Sequence, residues 1–213
     1  MQQKILIAVS VFVGFFLTLG LYLLFSNQHL QVDLPHIISP FSVDTPPSES
    51  LSGTLATMSG IVLWESRSAT NPVVIHAPQK LQQGESLLTA TGSATIDFPG
   101  IVQAVLAKDT QMNIIQTLPA SFVLQQTKGS AVFTIASGVT PVSLRAMDLL
   151  ISTSSATISL TVDAKKAEVG VHVQEGSVHL AYEDTNFVTQ LMTLQKGQTF
   201  YFNNNTKKQI YSL

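Results

Sequence analysis

The segment Val169 to Tyr182 constrains the fold more than any other, because large apolar residues alternate with small or polar ones on both sides of Glu175-Gly176. A period of two is the pattern of a β-strand with one buried face. Folding the segment about its centre would set Val173 opposite Val178 and would keep the outer apolar pairs on the same side. The segment therefore predicts an antiparallel hairpin with one buried face.

The turn of this hairpin is predicted at Glu175-Gly176. A three-residue loop would shift the pairing and set valines opposite histidines, so the loop must contain an even number of residues. Glutamate is a poor residue for a positive φ, which favours a four-residue loop in which Gly176 takes the unusual dihedral.

Two histidines, His172 and His179, become cross-strand neighbours on the outer face of the predicted hairpin. Their Cβ atoms would lie about 5 Å apart, close enough for two imidazoles to hold a metal ion weakly. Metal sites in proteins usually provide three or four ligands. We therefore interpret both residues as solvated surface histidines, and we expect no metal site and no cofactor.

The chain after about residue 58 consists of short β-prone runs separated by turn-forming pairs that contain glycine or proline. The runs other than the hairpin are Ile61 to Trp64, Val73 to Ile75, Ser86 to Thr89, Ala94 to Phe98, Ile101 to Leu106, Gln111 to Ile115, Phe122 to Gln125, Ala131 to Ala136, Val142 to Met147, Leu149 to Ser152, Thr157 to Val162, Val188 to Leu194 and Thr199 to Phe202. No run has a helical apolar stripe with caps. Residues 58–203 are therefore predicted to form an all-β domain, either a β-sandwich or a short β-helical winding of the same strands. The polar tail, residues 204–213, is expected to fray or to add one short strand.

An uncharged apolar segment, Ile5 to Phe25, lies near the N-terminus. Its length matches the ~20 residues that cross a ~30 Å hydrocarbon core, which predicts one transmembrane helix. A cleaved signal peptide is the main alternative, but its apolar region is normally about 7–15 residues long and ends at a small-residue cleavage site. Because Lys4 precedes the helix, residues 1–4 are expected in the cytoplasm and the rest of the chain outside the cytoplasmic membrane. Residues 26–57, rich in proline, serine and threonine, are predicted to form a stalk.

Composition and motifs exclude several classes of function. Only 11% of residues are charged and the net charge is −2, so the chain lacks the basic surface that binds nucleic acid. The absence of cysteine excludes disulfides, thiolate metal ligands and a thiol nucleophile. The sequence contains no Gly-x-Ser-x-Gly elbow, no phosphate-binding P-loop and no His-Glu-x-x-His motif, so we interpret it as a non-enzyme without catalytic residues.

Two motifs near the end of the predicted β-domain are Val-x-Val-x-Glu-Gly-x-Val and Leu-x-x-Gly-Gln. Their residues are Val171, Val173, Glu175, Gly176, Val178, Leu194, Gly197 and Gln198. With these two motifs, the order of strands and glycine turns from Ser59 to Phe202 resembles the FecR domain, a bacterial exported β-domain known from membrane-spanning signal transducers. The chain departs from the family pattern at Ala156 to Leu160, where the family usually has Gly-Thr-x-Phe. The short segment expected in the cytoplasm also leaves no room for the anti-sigma region of signal-transducing members.

The resemblance implies a single-pass membrane protein that presents a FecR-like β-domain outside the cytoplasmic membrane. There it would sense or bind a protein partner or an envelope glycan, by addition of an edge strand or through a flat β-face. An alternative is an LptC-like jelly-roll that handles lipid or lipopolysaccharide in the envelope, which would require an apolar groove. A hydrolase is a third option, and it would need a converging acid pair or a Ser-His contact.

Overall fold

The computed structural model describes residues 45–69, 71–138 and 141–212, in which all regular structure is β-strand. The strands are β1 (Gly53–Ser59), β2 (Val62–Glu65), β3 (Val73–Ile75), β4 (Gln79–Leu81), β5 (Ser86–Thr89), β6 (Ser93–Phe98), β7 (Val102–Leu106), β8 (Thr110–Leu118), β9 (Ser121–Ile135), β10 (Val142–Ala146), β11 (Leu149–Thr153), β12 (Ala156–Asp163), β13 (Glu168–Glu183), β14 (Thr189–Gln195), β15 (Thr199–Asn203) and β16 (Lys208–Ser212). The all-β prediction is confirmed for this part of the chain. No helix in these ranges is long and apolar enough to cross a membrane. The predicted transmembrane helix, Ile5 to Phe25, lies outside the described residues, as do residues 1–4 and most of the predicted stalk.

The strands form two sheets that share two members. Sheet A has the order β16-β15-β13-β12-β9-β7-β6-β1-β4, and sheet B has the order β14-β13-β11-β10-β9-β8-β5-β2-β3. Every pairing is antiparallel except that of β9 with β10, which is parallel. Strands β9 and β13 belong to both sheets and are accordingly the longest, with 15 and 16 residues.

The two sheets pack face to face around one apolar core. Phe98 of sheet A meets Phe122 of sheet B edge to face, with ring centroids 4.8 Å apart. The ring centroid of Tyr182 in sheet B lies 5.3 Å from the ring centroids of both Phe200 and Phe202 in sheet A. Burial alternates along the strands, so apolar side chains point inward and polar ones outward. The architecture is a β-sandwich. Because the chain passes repeatedly from one layer to the other after one or two strands, it also winds from the β3–β4 end to the β14–β16 end.

The prediction of a hairpin from Val169 to Tyr182 is wrong. These residues lie in one continuous strand, β13, whose first half belongs to sheet A and whose second half belongs to sheet B. The valines are buried, as their alternation predicted, but Val173 pairs with Ile158 and Val178 pairs with Leu194. The buried positions change from odd to even numbers where the strand passes between sheets. The mirror symmetry of the sequence thus marks a crossing and not a reversal of the chain.

Strand β9 makes the same crossing in the opposite direction. Its first half pairs with β8 and β10 in sheet B, and its second half pairs with β7 and β12 in sheet A. The sequence predicted two separate strands, Phe122 to Gln125 and Ala131 to Ala136, which Gly129 at φ 86° joins into one. We call residues 126–130 the first corner and residues 174–177 the second corner.

The strands extend beyond both predicted ends of the β-domain. β1 begins at Gly53, ahead of the predicted domain start at residue 58, and Leu55 within it is fully buried in the core. At the other end, the predicted tail contains β16, which pairs with β15. Of the two expectations for this tail, an added strand therefore describes it better than fraying.

Candidate functional site

The open edges of the two sheets differ in how they are protected. Within the described ranges, β4 and β16 are the edge strands of sheet A, and β3 and β14 are those of sheet B. Natural proteins protect such edges with short strands or with charged side chains. β3 and β4 contain three residues each, and β16 begins with Lys208. β14 is seven residues long and carries no charge, so it has neither protection.

An apolar side chain lies beside the open edge of β14. Leu194 is fully buried in the core, whereas Leu191, on the opposite face, is 81% exposed. On this outer face Leu191 pairs with Ala181 of β13, and Ala181 pairs with Leu150 of β11, which is also exposed. Leu191, Ala181 and Leu150, called the Leu191 row, form an apolar stripe that ends at the open edge.

The turn between β13 and β14 adds a second apolar group at this edge. The backbone N–H groups of Val188 (3.0 Å) and Asn186 (2.8 Å) donate to Asp184 Oδ1, and Gln190 Nε2 donates to Oδ2 (2.8 Å). These donors hold the pKa of the Asp184 carboxyl below its usual value, mainly through the two backbone N–H groups. The turn so formed sets Phe187 at φ 60° and leaves its side chain 79% exposed.

The geometry of β14 suits the addition of one further strand. Along the open side of an antiparallel edge strand, alternate residues direct N–H and C=O groups toward solvent. A partner strand would accept and donate these hydrogen bonds, and its outward side chains would extend the Leu191 row. In this mode of recognition the main chain provides affinity, and alternate side chains provide specificity.

The two candidate metal ligands, His172 and His179, do not form the pair that the hairpin predicted. His172 lies on the outer face of sheet A, with Nδ1 2.8 Å from Thr199 Oγ1, and His179 lies on the outer face of sheet B, with Nδ1 3.0 Å from Thr193 Oγ1. The core separates the two rings, so they cannot share a metal ion. Among the residues that the structure describes, no three or more His, Asp or Glu side chains lie close enough together to hold one.

The motif residues of the family resemblance build the fold around the second corner. Four of them are fully buried in the core: Val171, Val173, Val178 and Leu194. The two motifs also meet, since the Gly197 N–H donates to the Val173 carbonyl (2.7 Å) and the Val173 N–H donates to the Gln198 carbonyl (3.0 Å). Glu175 and Gly176 are exposed at the corner itself, with Gly176 at φ 78°. The motifs therefore hold the β14–β15 turn against β13.

Neither Leu191 nor Phe187 is singled out by the sequence. The available signal is a break in alternation, because Met192 and Leu194 already mark the inner face of β14 and Leu191 falls on the other face. That break identifies an apolar outer residue. It does not show that β14 lies at an edge, which depends on the order of strands in the sheet.

Comparison with known proteins shows a shared fold. No known family model matches the chain, and no curated protein is similar to it in sequence. Two crystal structures of a "putative anti-sigma factor" from Parabacteroides distasonis are similar in structure, each with a TM-score of 0.52 and with 13% and 12% sequence identity. Each match covers 59% of this chain and 57% of the other, so it spans little more than half the length of those proteins. At this identity the likeness establishes the all-β fold alone.

Proposed function

We propose that the protein is a non-catalytic, FecR-like binding module that takes part in signalling across the bacterial cytoplasmic membrane. The segment Ile5 to Phe25 anchors it, and the β-domain lies outside the membrane. There the domain recognises a protein partner by strand addition to β14. The structural likeness to proteins named as anti-sigma factors supports a signalling role, and the apolar segment supports the membrane anchor.

The open edge of β14 is the observation that carries this proposal. It combines an uncharged strand of seven residues with an exposed Leu191 and an exposed Phe187. Soluble proteins normally avoid such an edge because it promotes unwanted pairing between chains. An edge without this protection is explained if a partner strand covers it.

The packing of the core favours this function over the LptC-like alternative. Lipid handling requires an apolar groove between the sheets that can take acyl chains. Here the facing inner surfaces are filled by large side chains, including Phe98, Phe122, Phe133 and Phe200, each at most 1% exposed.

Site-specific photocrosslinking tests the role of β14. A photoreactive amino acid at position 191 of the full-length chain in its host membrane should capture one partner, while the same probe at Thr134, exposed on the outer face of sheet A, should not. Leu191→Lys should abolish complex formation with that partner, because the ammonium would be desolvated beside the new strand. Thr134→Lys is the matched control and should leave the complex unchanged.

Amide hydrogen exchange in the complex then separates strand addition from contact through side chains alone. The amides of β14 should exchange more slowly when the partner is bound, and those of the opposite edge strand, β16, should not change. Equal capture at positions 191 and 134, or unchanged exchange along β14, would contradict the proposal.

Cysteine labelling tests the membrane topology, since the chain has no cysteine of its own. In intact spheroplasts, a membrane-impermeant maleimide should label Thr134→Cys but should label Gln3→Cys only after permeabilisation. Labelling in the reverse order would place the β-domain in the cytoplasm and would overturn the proposed presentation.

A further inference from the structure

The outer face of sheet A differs in chemistry from the edge at β14, because hydroxyl groups dominate it. The Ser and Thr side chains on this face include Thr57, Thr95, Ser130, Thr134, Ser159 and Thr161. Several bond across the strands, as do Thr57 with Thr95 (3.0 Å) and Ser130 with Thr161 (3.1 Å). A surface of this kind offers many hydrogen-bond donors and acceptors and little charge.

An exposed aromatic ring, Tyr201, leans across this face. Its side chain is 52% exposed, and it pairs with Ile210 of β16 on one side and with Gly170 of β13 on the other. A Cβ atom at Gly170 would lie 2.9 Å from Tyr201 Cε1 and 3.1 Å from Cδ1. The ring can therefore lie down on the sheet only because residue 170 has no side chain.

Close approach of the ring explains why a glycine occupies the middle of β13 at position 170. Glycine weakens a strand, so it usually marks a bulge, a positive φ or a close contact. Gly170 does not have a positive φ, in contrast to Gly176 in the same strand. The contact with Tyr201 is thus the feature that requires glycine at position 170, and this glycine sets the position of the ring on the sheet.

A hollow of about 430 Å³ lies beside the ring, within the range of small-ligand sites of roughly 300–1,000 Å³. We call it the Tyr201 hollow. Ile210 and Tyr201 form its apolar part, and a polar row of Lys208, Asn203 and Glu168 runs along the neighbouring ladder positions. Lys208 and Glu168 carry opposite charges, so together they favour a neutral ligand over an anionic or cationic one.

We propose that the Tyr201 hollow binds a neutral pyranose unit of a glycan. A pyranose has an apolar C–H face that stacks on an aromatic ring, and hydroxyl groups at its edges that bond to polar side chains. The C–H face would lie on Tyr201, and the hydroxyl groups would reach the Glu168 carboxylate and the Lys208 ammonium. This site is on the other sheet from the open edge of β14, and the proposal does not depend on strand addition there.

Titration of the full-length chain in detergent with chitotriose, and in parallel with cellotriose, tests this site by saturation-transfer NMR and calorimetry. We expect a saturable interaction with a Kd on the order of 1 mM for at least one of the two neutral probes. Tyr201→Ala should weaken that interaction by about tenfold or more, and Tyr201→Phe should leave it within about twofold, since the stacking surface remains.

Gly170→Ala is the sharper variant, because it changes no group that touches the sugar. The added methyl should lift the ring from the sheet and weaken binding by several-fold, while the half-exposed ring has room to move without unfolding the domain. Phe187→Ala is the matched control, an exposed aromatic outside the hollow, and should leave sugar binding unchanged.

Three outcomes would overturn the proposal. These are no saturable binding of either sugar, binding that Tyr201→Ala does not weaken, and capture at the hollow of a protein that neither sugar displaces. Each is separate from a failure at β14, because the crosslinks at position 191 do not report on this hollow. Conversely, loss of the β14 complex on Leu191→Lys should leave the binding of chitotriose and cellotriose unchanged.

Discussion

The two corners solve the same geometric problem with the same local chemistry. Each contains a Gly-Ser pair, Gly129-Ser130 in the first corner and Gly176-Ser177 in the second, with glycine φ values of 86° and 78°. In both, a threonine hydroxyl of a neighbouring strand donates to the serine carbonyl, from Thr110 at 2.9 Å and from Thr153 at 2.8 Å. A strand thus passes between sheets where glycine permits the bend and a threonine side chain hydrogen-bonds to the backbone of the crossing strand.

The surroundings of the two corners differ. At the first corner Thr89, Thr110 and Gln126 are at most 1% exposed, and Thr89 Oγ1 accepts a hydrogen bond from the Thr110 N–H (3.0 Å). At the second corner Gln174 and Glu175 face solvent. Buried hydrogen bonds are costly to break because the remaining partners are left unsatisfied. We therefore expect the first corner to be rigid and the second to tolerate changes in its backbone.

The largest difference between the corners is expected in the stability lost on Gly129→Ala and on Gly176→Ala. At position 129 the new Cβ would lie 2.4 Å from Thr110 Oγ1 and 2.5 Å from its Cα, so buried backbone must move, and we expect a loss of about 3–5 kcal/mol. At position 176 it would lie 2.5 Å from the carbonyl oxygen of Ser155, which is exposed and can shift, and 3.0 Å from Cα of the buried Ala156. Because the second contact is less severe than those at position 129, the loss should be about 1–2 kcal/mol. Urea unfolding of the full-length chain in mild detergent measures both, and equal losses would contradict the difference in rigidity.

The next largest difference in the loss of stability is expected between Thr110→Val and Thr153→Val. Thr110 Oγ1 accepts from the Ser130 N–H (3.0 Å) as well as donating to the Ser130 carbonyl. Valine would leave this N–H without its partner, while the carbonyl keeps the Ala107 N–H (2.9 Å), so the change should cost about 2 kcal/mol. Thr153→Val should cost about 1 kcal/mol, since one backbone group that it releases, the Ser155 N–H, lies on an exposed residue. Thr110→Ser and Thr153→Ser, which retain the hydroxyl, are the controls, and urea unfolding measures the change in stability of each variant.

A smaller difference in the loss of stability is expected between Gln126→Met and Gln174→Met. Gln126 Nε2 donates to the carbonyls of Gly129 (2.7 Å) and Leu160 (3.3 Å), while its Oε1 is buried without a partner. Its replacement should cost about 1 kcal/mol, because the loss of two donors is partly offset by the removal of that unpaired oxygen. Gln174→Met should change stability by less than about 0.5 kcal/mol, as is usual on an exposed surface. A cost at position 174 that matches the cost at 126 would show that burial does not set the difference.

The smallest difference in stability between the two corners is expected to depend on pH. The Lys128 ammonium, 2.7 Å from Asp109 Oδ1 next to the first corner, holds the pKa of the Asp109 carboxyl below its ordinary value near 3.8. Because the folded-state pKa is the lower one, this pair stabilises the folded protein above about pH 4, and the contribution is lost as the pH falls through the folded-state pKa. Asp109→Asn should therefore lower the urea midpoint slightly at pH 7 and not at pH 2.

The matched change at the second corner is Glu175→Gln. Glu175 makes no ion pair within the part of the chain that the structure describes, so the midpoint should not respond to this change at pH 7. A pH-dependent response as large as that of Asp109→Asn would show that the ion pair of Lys128 with Asp109 does not distinguish the two corners.

The strands were predictable from sequence to a greater extent than their partners were. Alternation places Val171 and Val173 on the inner face regardless of what they pair with, and these residues are buried as expected. A hairpin and a sheet crossing produce the same mirror symmetry about Gly176, because both change the parity of the buried positions. The pairings of Val173 with Ile158 and of Val178 with Leu194 distinguish them, and both are contacts with other strands.

The candidate site was less predictable for a related reason. β14 itself was anticipated as Val188 to Leu194, but its place at the edge of sheet B results from the order of all the strands in that sheet. The open environment of Leu191 therefore has no local signature. The same holds for Gly170, because the need for glycine at this position follows from its contact with the Tyr201 ring, which the sequence does not show.

Strand β13 has a mechanical consequence that follows from its length. Gly170, near its start, supports Tyr201, and Ala181, near its end, supports Leu191, so one unbroken run of backbone connects the two surfaces. Between them lies the exposed second corner, with Gly176 as the pivot. Covalent bonds do not stretch appreciably, so the length of backbone between the two surfaces is fixed. A change of angle at Gly176 is therefore the motion that alters the distance between them.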